Sequence, residues 1–235
     1  MIESFRHELK YVCSDMQIEL IKNRLSPLLQ RDSHADNEGE YIIRSLYFDD
    51  YSNRCFYENE NGVDPRYKWR VRIYNCSRNR IALEKKVKKQ GMTGKESCLI
   101  DEEVFGSMLS GDCCLRYLGK GNDLLNEWIV EKNNTGLIPK VIVQYKRIPM
   151  IYKLGNVRIT FDSNISGSTS FERFFNKSIA SIPILQSGHQ VLEVKYDDYF
   201  PDLLYNLCDT GHLMQTTFSK FYLCCKAMEG NLYVV

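Results

Sequence analysis

Apolar and polar positions alternate with a period of two through most of this chain, which is the signature of strands. Residues 5–13, 41–49, 67–75 and 80–88 read this way, as do 95–100, 140–147, 156–161 and 190–196. Cys76-Ser77-Arg78-Asn79 supplies a hairpin turn between 67–75 and 80–88. Helical spacing appears only in short pieces. Ser14-Asp15-Met16-Gln17 has the form of a capping box. Ile18, Ile21, Leu25 and Leu28 follow on one face, and Pro27 ends or bends that helix. Residues 31–40 are polar and predict an exposed loop, and Tyr47-Phe48-Asp49-Asp50 predicts a strand end with a turn. A short helix over 103–109 stops at Gly111, and Leu124, Leu125, Trp128 and Ile129 mark another before Asn133-Asn134-Thr135-Gly136. Leu203, Leu204 and Leu207 predict a helix after Pro201, 219–228 form the last helix, and 231–235 offer an edge strand. Many strands joined by hairpin-like connections predict an α+β fold: an antiparallel sheet or closed barrel with flanking helices, over one domain spanning 1–235.

The polar halves of these strands are unusual. Residues i and i+2 of a strand share a face. Arg70 and Arg72 therefore point one way and Trp69, Val71 and Ile73 the other. Glu84, Lys86 and Lys88 share a face, as do Glu193 and Lys195, and His7-Glu8-Leu9-Lys10 repeats the E-x-K spacing. Arg158, Thr160 and Asp162 alternate with Val157, Ile159 and Phe161. Any one such strand reads as an ordinary amphipathic strand with a wet face. Together they carry long cations where a solvated face would carry Thr, Ser, Gln and Asn. If the sheet closes, the cations point inward and repel one another unless an anion fills the space. Arg forks bind the oxygens of a triphosphate or polyphosphate in pairs. A Glu in such an interior either pairs with a Lys or holds Mg²⁺ or Mn²⁺, which bridge to phosphate oxygens. Glu193 is the first candidate ligand; Glu8 and Glu84 are weaker ones.

Composition narrows the picture. The chain has 235 residues, 43% hydrophobic and 26% charged, enough for a buried core. Lys plus Arg is 31 and Asp plus Glu 30, so the placement of charge decides, not its sum. That balance, with cations spread over alternating strand positions, argues against a nucleic-acid partner. No apolar run reaches the roughly 20 residues of a membrane span, and no leader pattern opens the chain, so a cytoplasmic protein is expected. Nine Cys without a C-x-x-C read as reduced structural thiols. Gly91-Met92-Thr93-Gly94-Lys95 lacks the spacing of a phosphate-binding P-loop. His34, His189 and His212 are scattered and read as surface or loop residues.

Tyr67-Lys68-Trp69-Arg70-Val71-Arg72-Ile73-Tyr74, Leu83-Glu84-Lys85-Lys86, Tyr145-Lys146-Arg147, Val191-Leu192-Glu193-Val194-Lys195 and Phe218-Ser219-Lys220-Phe221 resemble, in order, the motifs of the VTC domain. That domain is the catalytic part of a polyphosphate polymerase and a member of the triphosphate tunnel metalloenzymes, the CYTH-like superfamily. The resemblance implies an antiparallel β-barrel tunnel whose basic side chains bind ATP and polyphosphate, and a glutamate that helps hold Mn²⁺ or Mg²⁺. Lys10 matches the basic residue of the first strand, and Arg70 and Arg72 match the R-x-R pair. Lys86, Arg147 and Lys220 match later basic positions, and Glu193 matches the metal-linked Glu. Lys95, after Thr93-Gly94, is the candidate for a further strand Lys. Arg158 and Lys195 join the substrate-binding set. The eukaryotic polymerase adds membrane spans and a phosphate-sensing domain. This chain resembles the stand-alone bacterial members, with a membrane-protein partner as a possible recipient of product.

The implied reaction moves the γ-phosphate of ATP to phosphate or polyphosphate. Arg70, Arg72, Lys86 and Arg147 would stabilise the transferring group, Lys10 and Lys220 would hold the chain, and Glu193 would place the metal. A metal-dependent triphosphatase and a non-catalytic binding module for polyphosphate or nucleotide remain the competing readings.

Overall fold

The computed structural model describes residues 5–31, 39–211 and 213–230. Ten strands and six α-helices follow one another: β1 (His7–Ser14), α1 (Asp15–Leu25), β2 (Gln30–Arg31), β3 (Tyr41–Asp49), α2 (Arg54–Glu60), β4 (Arg66–Tyr74), β5 (Ile81–Lys89), β6 (Met92–Ile100), α3 (Glu102–Leu109), α4 (Asp123–Thr135), β7 (Ile138–Tyr152), β8 (Val157–Ser168), β9 (Ile182–Pro183), β10 (His189–Tyr196), α5 (Asp202–Cys208) and α6 (Lys220–Met228). Eight strands form one curled antiparallel sheet in the order β1-β10-β8-β7-β3-β4-β5-β6. The short β2 and β9 pair with β7 and β8.

The curl brings the two ends of the sheet together. Arg6 and Thr93 exchange backbone hydrogen bonds of 3.0 and 2.9 Å. Among the described residues closure thus rests on one bridge, where a fully closed barrel was expected. Part of the free β1 edge is taken instead by the chain before α6: Gln215 bridges Tyr11, and the Thr216 amide donates to the Lys10 carbonyl at 2.9 Å.

Alternation sorts the faces. Outward residues of β3–β6, among them Leu46, Trp69, Val71, Ile73 and Leu83, pack with Phe105 and Met108 of α3 and Trp128 and Ile129 of α4. Ile159, Leu192 and Val194 pack with Ile18 and Ile21 of α1 and Leu204 of α5. Phe221 and Cys224 of α6 lie against the inward Tyr47 and Ile165, so this helix plugs part of the interior. A Cβ on Gly167 would sit 2.9 Å from the Cys224 Cβ, so the close approach of α6 to β8 needs a glycine there.

Local signals explain most boundaries. Ser14 caps α1 as expected, but the helix stops at Leu25, and Leu28 lies exposed in the turn around Pro27. β6 begins three residues before the expected 95, because Gln90 and Gly91 (φ 51° and 77°) form a two-residue hairpin loop. β7 and β8 run far beyond 140–147 and 156–161; a register shift near Gln144 lets these long strands bend. α2 has no apolar periodicity to announce it. The buried Asp49 carboxylate accepts from the amides of Cys55 and Phe56 and fixes its start. Arg31, expected in a loop, pairs with Met150 in β2. His189 opens β10, half-buried, and is not a surface loop residue. His34, His212, the tail 231–235 and most of the 31–40 loop lie outside the described residues.

Candidate functional site

The inward faces of β1, β3–β8 and β10, with the N-terminus of α6, enclose a cavity of about 700 Å³. Lys10, Arg70, Arg72, Lys86, Lys95, Arg147, Arg158, Glu193, Lys195 and Lys220 all line it. Each is carried inward by the i, i+2 alternation of its strand, except Lys220. That residue follows the α6 N-cap, Ser219, whose hydroxyl accepts from the Tyr222 amide.

Four buried carboxylates organise the cations. Glu84, opposite Arg70 in the β4–β5 register, accepts from Arg70 Nε at 2.7 Å and lies 2.6 Å from its Nη2. Arg72 and Lys95 stand 3.8 and 3.6 Å from the same carboxylate. Asp162 takes both Nε and Nη2 of Arg147 (2.6 and 2.7 Å), with Lys220 Nζ at 2.7 Å. Glu193 lies 2.8 Å from Lys195, 3.6 Å from Arg147 and 3.8 Å from Lys220. Glu8 lies 2.7 Å from Lys10, 3.2 Å from Lys86 and 3.4 Å from Lys195. Neutral oxygens complete the wall: Arg70 donates to the Tyr47 hydroxyl at 2.9 Å, Arg72 to Ser45 at 3.1 Å and Arg158 to Tyr41 at 2.8 Å.

The electrostatics follow from burial against charge. Burial alone would raise the Glu84 pKa, but Arg70, Arg72 and Lys95 outweigh it and hold the carboxyl far below its usual range. Glu193 and Asp162 are likewise held down against burial, Glu193 by Lys195, Arg147 and Lys220, and Asp162 by Arg147 and Lys220. The cations fare unequally. Burial opposes the charge on Lys10, but Glu8 and Glu193 raise its pKa above the ordinary Lys value. Lys86 shares Glu8 with Lys10 and Lys195, and burial wins there, lowering its pKa well below the ordinary value. Among the described residues, thirteen Lys and Arg line the cavity, against Glu8 and Glu193 in its wall and Glu84 and Asp162 paired to the cations from behind, so cations outnumber these carboxylates. Such a chamber is under-neutralised until an anion enters.

A divalent metal can be tested against this donor set. Among the described residues, no three His, Cys, Asp or Glu are arranged to hold an ion by themselves. Glu8 and Glu193 lie on the adjacent strands β1 and β10 and share Lys195 between them. Glu193 Oε1, though close to Lys195, makes no directed hydrogen bond. One or two carboxylates completed by phosphate oxygens and water is the usual habit of Mg²⁺, and this pair fits it. Glu84, weighed as a ligand, is committed to Arg70 and does not line the cavity.

Sequence reasoning passed over two residues. Asp162 alternates with apolar neighbours like its cationic partners, but only folding brings it to Arg147. Lys68 sits two before Arg70 on the same face, so the spacing that singled out Arg70 and Arg72 also marks it.

The sequence model of the VTC domain family matches residues 5–229. Among curated proteins, none matches this chain. Two solved structures resemble the fold. One is a putative adenylyl cyclase, HpAC1, from Hippeastrum, described as having a dominant triphosphatase activity. It is 13% identical, aligned over 97% of each chain, with a TM-score of 0.53. The other is the PH1819 protein of Pyrococcus horikoshii, 13% identical over 94% of this chain and 99% of its own, with a TM-score of 0.51.

Proposed function

This chain belongs to the VTC domain family, and on that premise we propose that it is an ATP–polyphosphate phosphotransferase working as one domain over residues 1–235. The observation that carries the reading is the convergence of Lys10, Arg70, Arg72, Lys86, Arg147 and Lys220, from four strands and a helix, on one under-neutralised cavity. Cations on all sides suit a linear phosphate chain better than a single anion on one wall.

Substrate ATP places its triphosphate among these side chains. An oxygen of phosphate or of a polyphosphate end attacks the γ-phosphorus, the bond from that phosphorus to the β-bridging oxygen breaks, and ADP leaves. The acceptor is longer by one phosphate. Arg70, Arg72, Arg147 and Lys86 stabilise the equatorial oxygens as charge shifts. The carboxylates of Glu84 and Asp162 keep Arg70 and Arg147 in place, so little reorganisation accompanies the step. Lys10, Lys195 and Lys220 hold the chain, with Lys95 and Arg158 at its flanks. Glu193, with Glu8 beside it, would hold Mn²⁺ or Mg²⁺, which when bound neutralises charge across neighbouring phosphate oxygens. Product leaving the cavity would pass to a membrane-protein partner or to the surrounding solution.

A second reading has water as acceptor. The triphosphatase activity described for the Hippeastrum protein of similar fold favours it. Incubation of the pure protein with ATP and Mn²⁺ or Mg²⁺ separates the two. Phosphotransfer yields ADP with polyphosphate in step, whereas hydrolysis yields ADP with free phosphate. Tight ATP binding without turnover under either metal would leave a binding module.

A further inference from the structure

The cavity cations fall into two groups. Those of the inner band each sit within 4.0 Å of a carboxylate: Arg70 and Lys95 with Glu84, Lys10 and Lys86 with Glu8, and Arg147 and Lys220 with Asp162. On β4 the pattern stops at Lys68, which lies opposite the paired Lys86, and one step on it stops on both strands, at Arg66↔Lys88. Arg66, Lys68 and Lys88 line the same cavity, yet none of the three forms an ion pair among the described residues.

Lys68 is nonetheless held in place. Its Nζ donates to Asn59 Oδ1 of α2 at 2.7 Å, lies 3.5 Å from the hydroxyl of Ser219 at the start of α6, and stands 4.6 Å from the Phe221 ring centre. Two helices therefore fix an ammonium at this mouth with neutral partners only. Burial lowers its pKa to about 7, and the neighbouring Arg66 and Lys10 add to the fall against Cys55 and Cys225. An ammonium fixed by neutral dipoles, beside Arg66, which donates to the Val63 carbonyl, and Lys88, which feels Glu8 and Asp64 but forms no ion pair among the described residues, leaves room for an anion. One same-face step of a strand, roughly 7 Å, separates it from Arg70. A ligand occupying both must be extended.

We infer that Lys68, with Arg66 and Lys88, forms an extended anion subsite at the mouth roofed by α2 and α6, which engages phosphoanhydride chains longer than the triphosphate held by the inner band. This rests on the proposed function and deepens it, because it assigns one mouth of the cavity to the long chain. The chain end draws a proton onto Lys68 as it binds, so long-chain binding above pH 7 takes up protons and tripolyphosphate binding does so less.

Calorimetric titration of the full chain with tripolyphosphate and with long-chain polyphosphate, in buffers of different ionisation enthalpy, tests this. Lys68→Met keeps the apolar stem over Phe221 and removes the charge. It should weaken long-chain binding about tenfold, the scale of one charge-assisted contact, and abolish the extra proton uptake while tripolyphosphate still binds. Lys88→Gln, at a partly exposed position without an ion pair, should give a smaller loss of the same kind, which guards against a folding defect in the first variant. Equal losses for both ligands, or no loss in either variant, would overturn the subsite. Wild-type protein that binds tripolyphosphate but does not favour the long chain would overturn the subsite alone. Wild-type protein that binds neither ligand would overturn the proposed function with it.

Discussion

The two faces of β4 show how one strand serves two purposes. Outward, Trp69, Val71 and Ile73 are fully buried against α3 and α4, where burial of apolar surface stabilises the fold without regard to charge. Inward, Arg70 and Arg72 are nearly as enclosed and Lys68 is half-buried; their burial opposes folding and is offset by Glu84, Tyr47, Ser45 and Asn59. The outer face holds the sheet together. The inner face carries charge that the protein only partly neutralises, and that deficit is available to a ligand.

The contrast can be broken first on the outer side. Trp69→Ala empties a site packed around the β4–α4 core and should cost about 3–5 kcal/mol of stability by denaturant unfolding, whatever ligand is present. Next, Glu84→Gln removes the countercharge of Arg70 and Arg72 and should cost about 3 kcal/mol. Unlike the Trp69 loss, this one should shrink when tripolyphosphate is added, because the anion replaces the missing charge. Ligand-independent destabilisation by Glu84→Gln would show that the two faces do not differ as argued. Third, Arg72→Ala should keep the fold and lower turnover of ATP by about 100-fold, the scale of one transition-state donor. Retention of most wild-type turnover would remove Arg72 from the reaction.

The smallest effect is one of pH. Glu84, Asp162 and Glu193 are held below their ordinary pKa by cations, so the unfolded chain takes up protons before the folded one does as pH falls. Their contribution is complete above the ordinary carboxyl pKa and is lost progressively below it, through the depressed folded values. Thermal melts from pH 7 to pH 3 should show stability falling below about pH 4.5. The fall should be shallower in Glu84→Gln, which has one such carboxylate fewer.

Much of the site was legible before folding. A period of two assigns Arg70, Arg72, Lys86, Glu193 and Lys195 to one face of their strands, and all of them line one cavity. Helices with an apolar stripe or a cap, such as α1 and α4, were legible for the same local reason. α2 was not, because its start is set by the Asp49 carboxylate and its burial by Tyr222 of α6, far along the chain. Lys68 carried the same spacing as Arg70 and Arg72, and what sets it apart, neutral partners from α2 and α6, arises only on packing.

The sequence alone determined which residues share a face, because alternation in a strand is local geometry. It could not determine which face turns inward, or that one bridge between Arg6 and Thr93 brings the sheet ends together. Nor could it determine that Asp162 meets Arg147 and Lys220 while Lys68 meets no carboxylate among the described residues. Those outcomes depend on the curl and register of strands distant in sequence. Only the packed tertiary structure sets the distances that decide whether a buried cation is neutralised by the protein or left for a ligand.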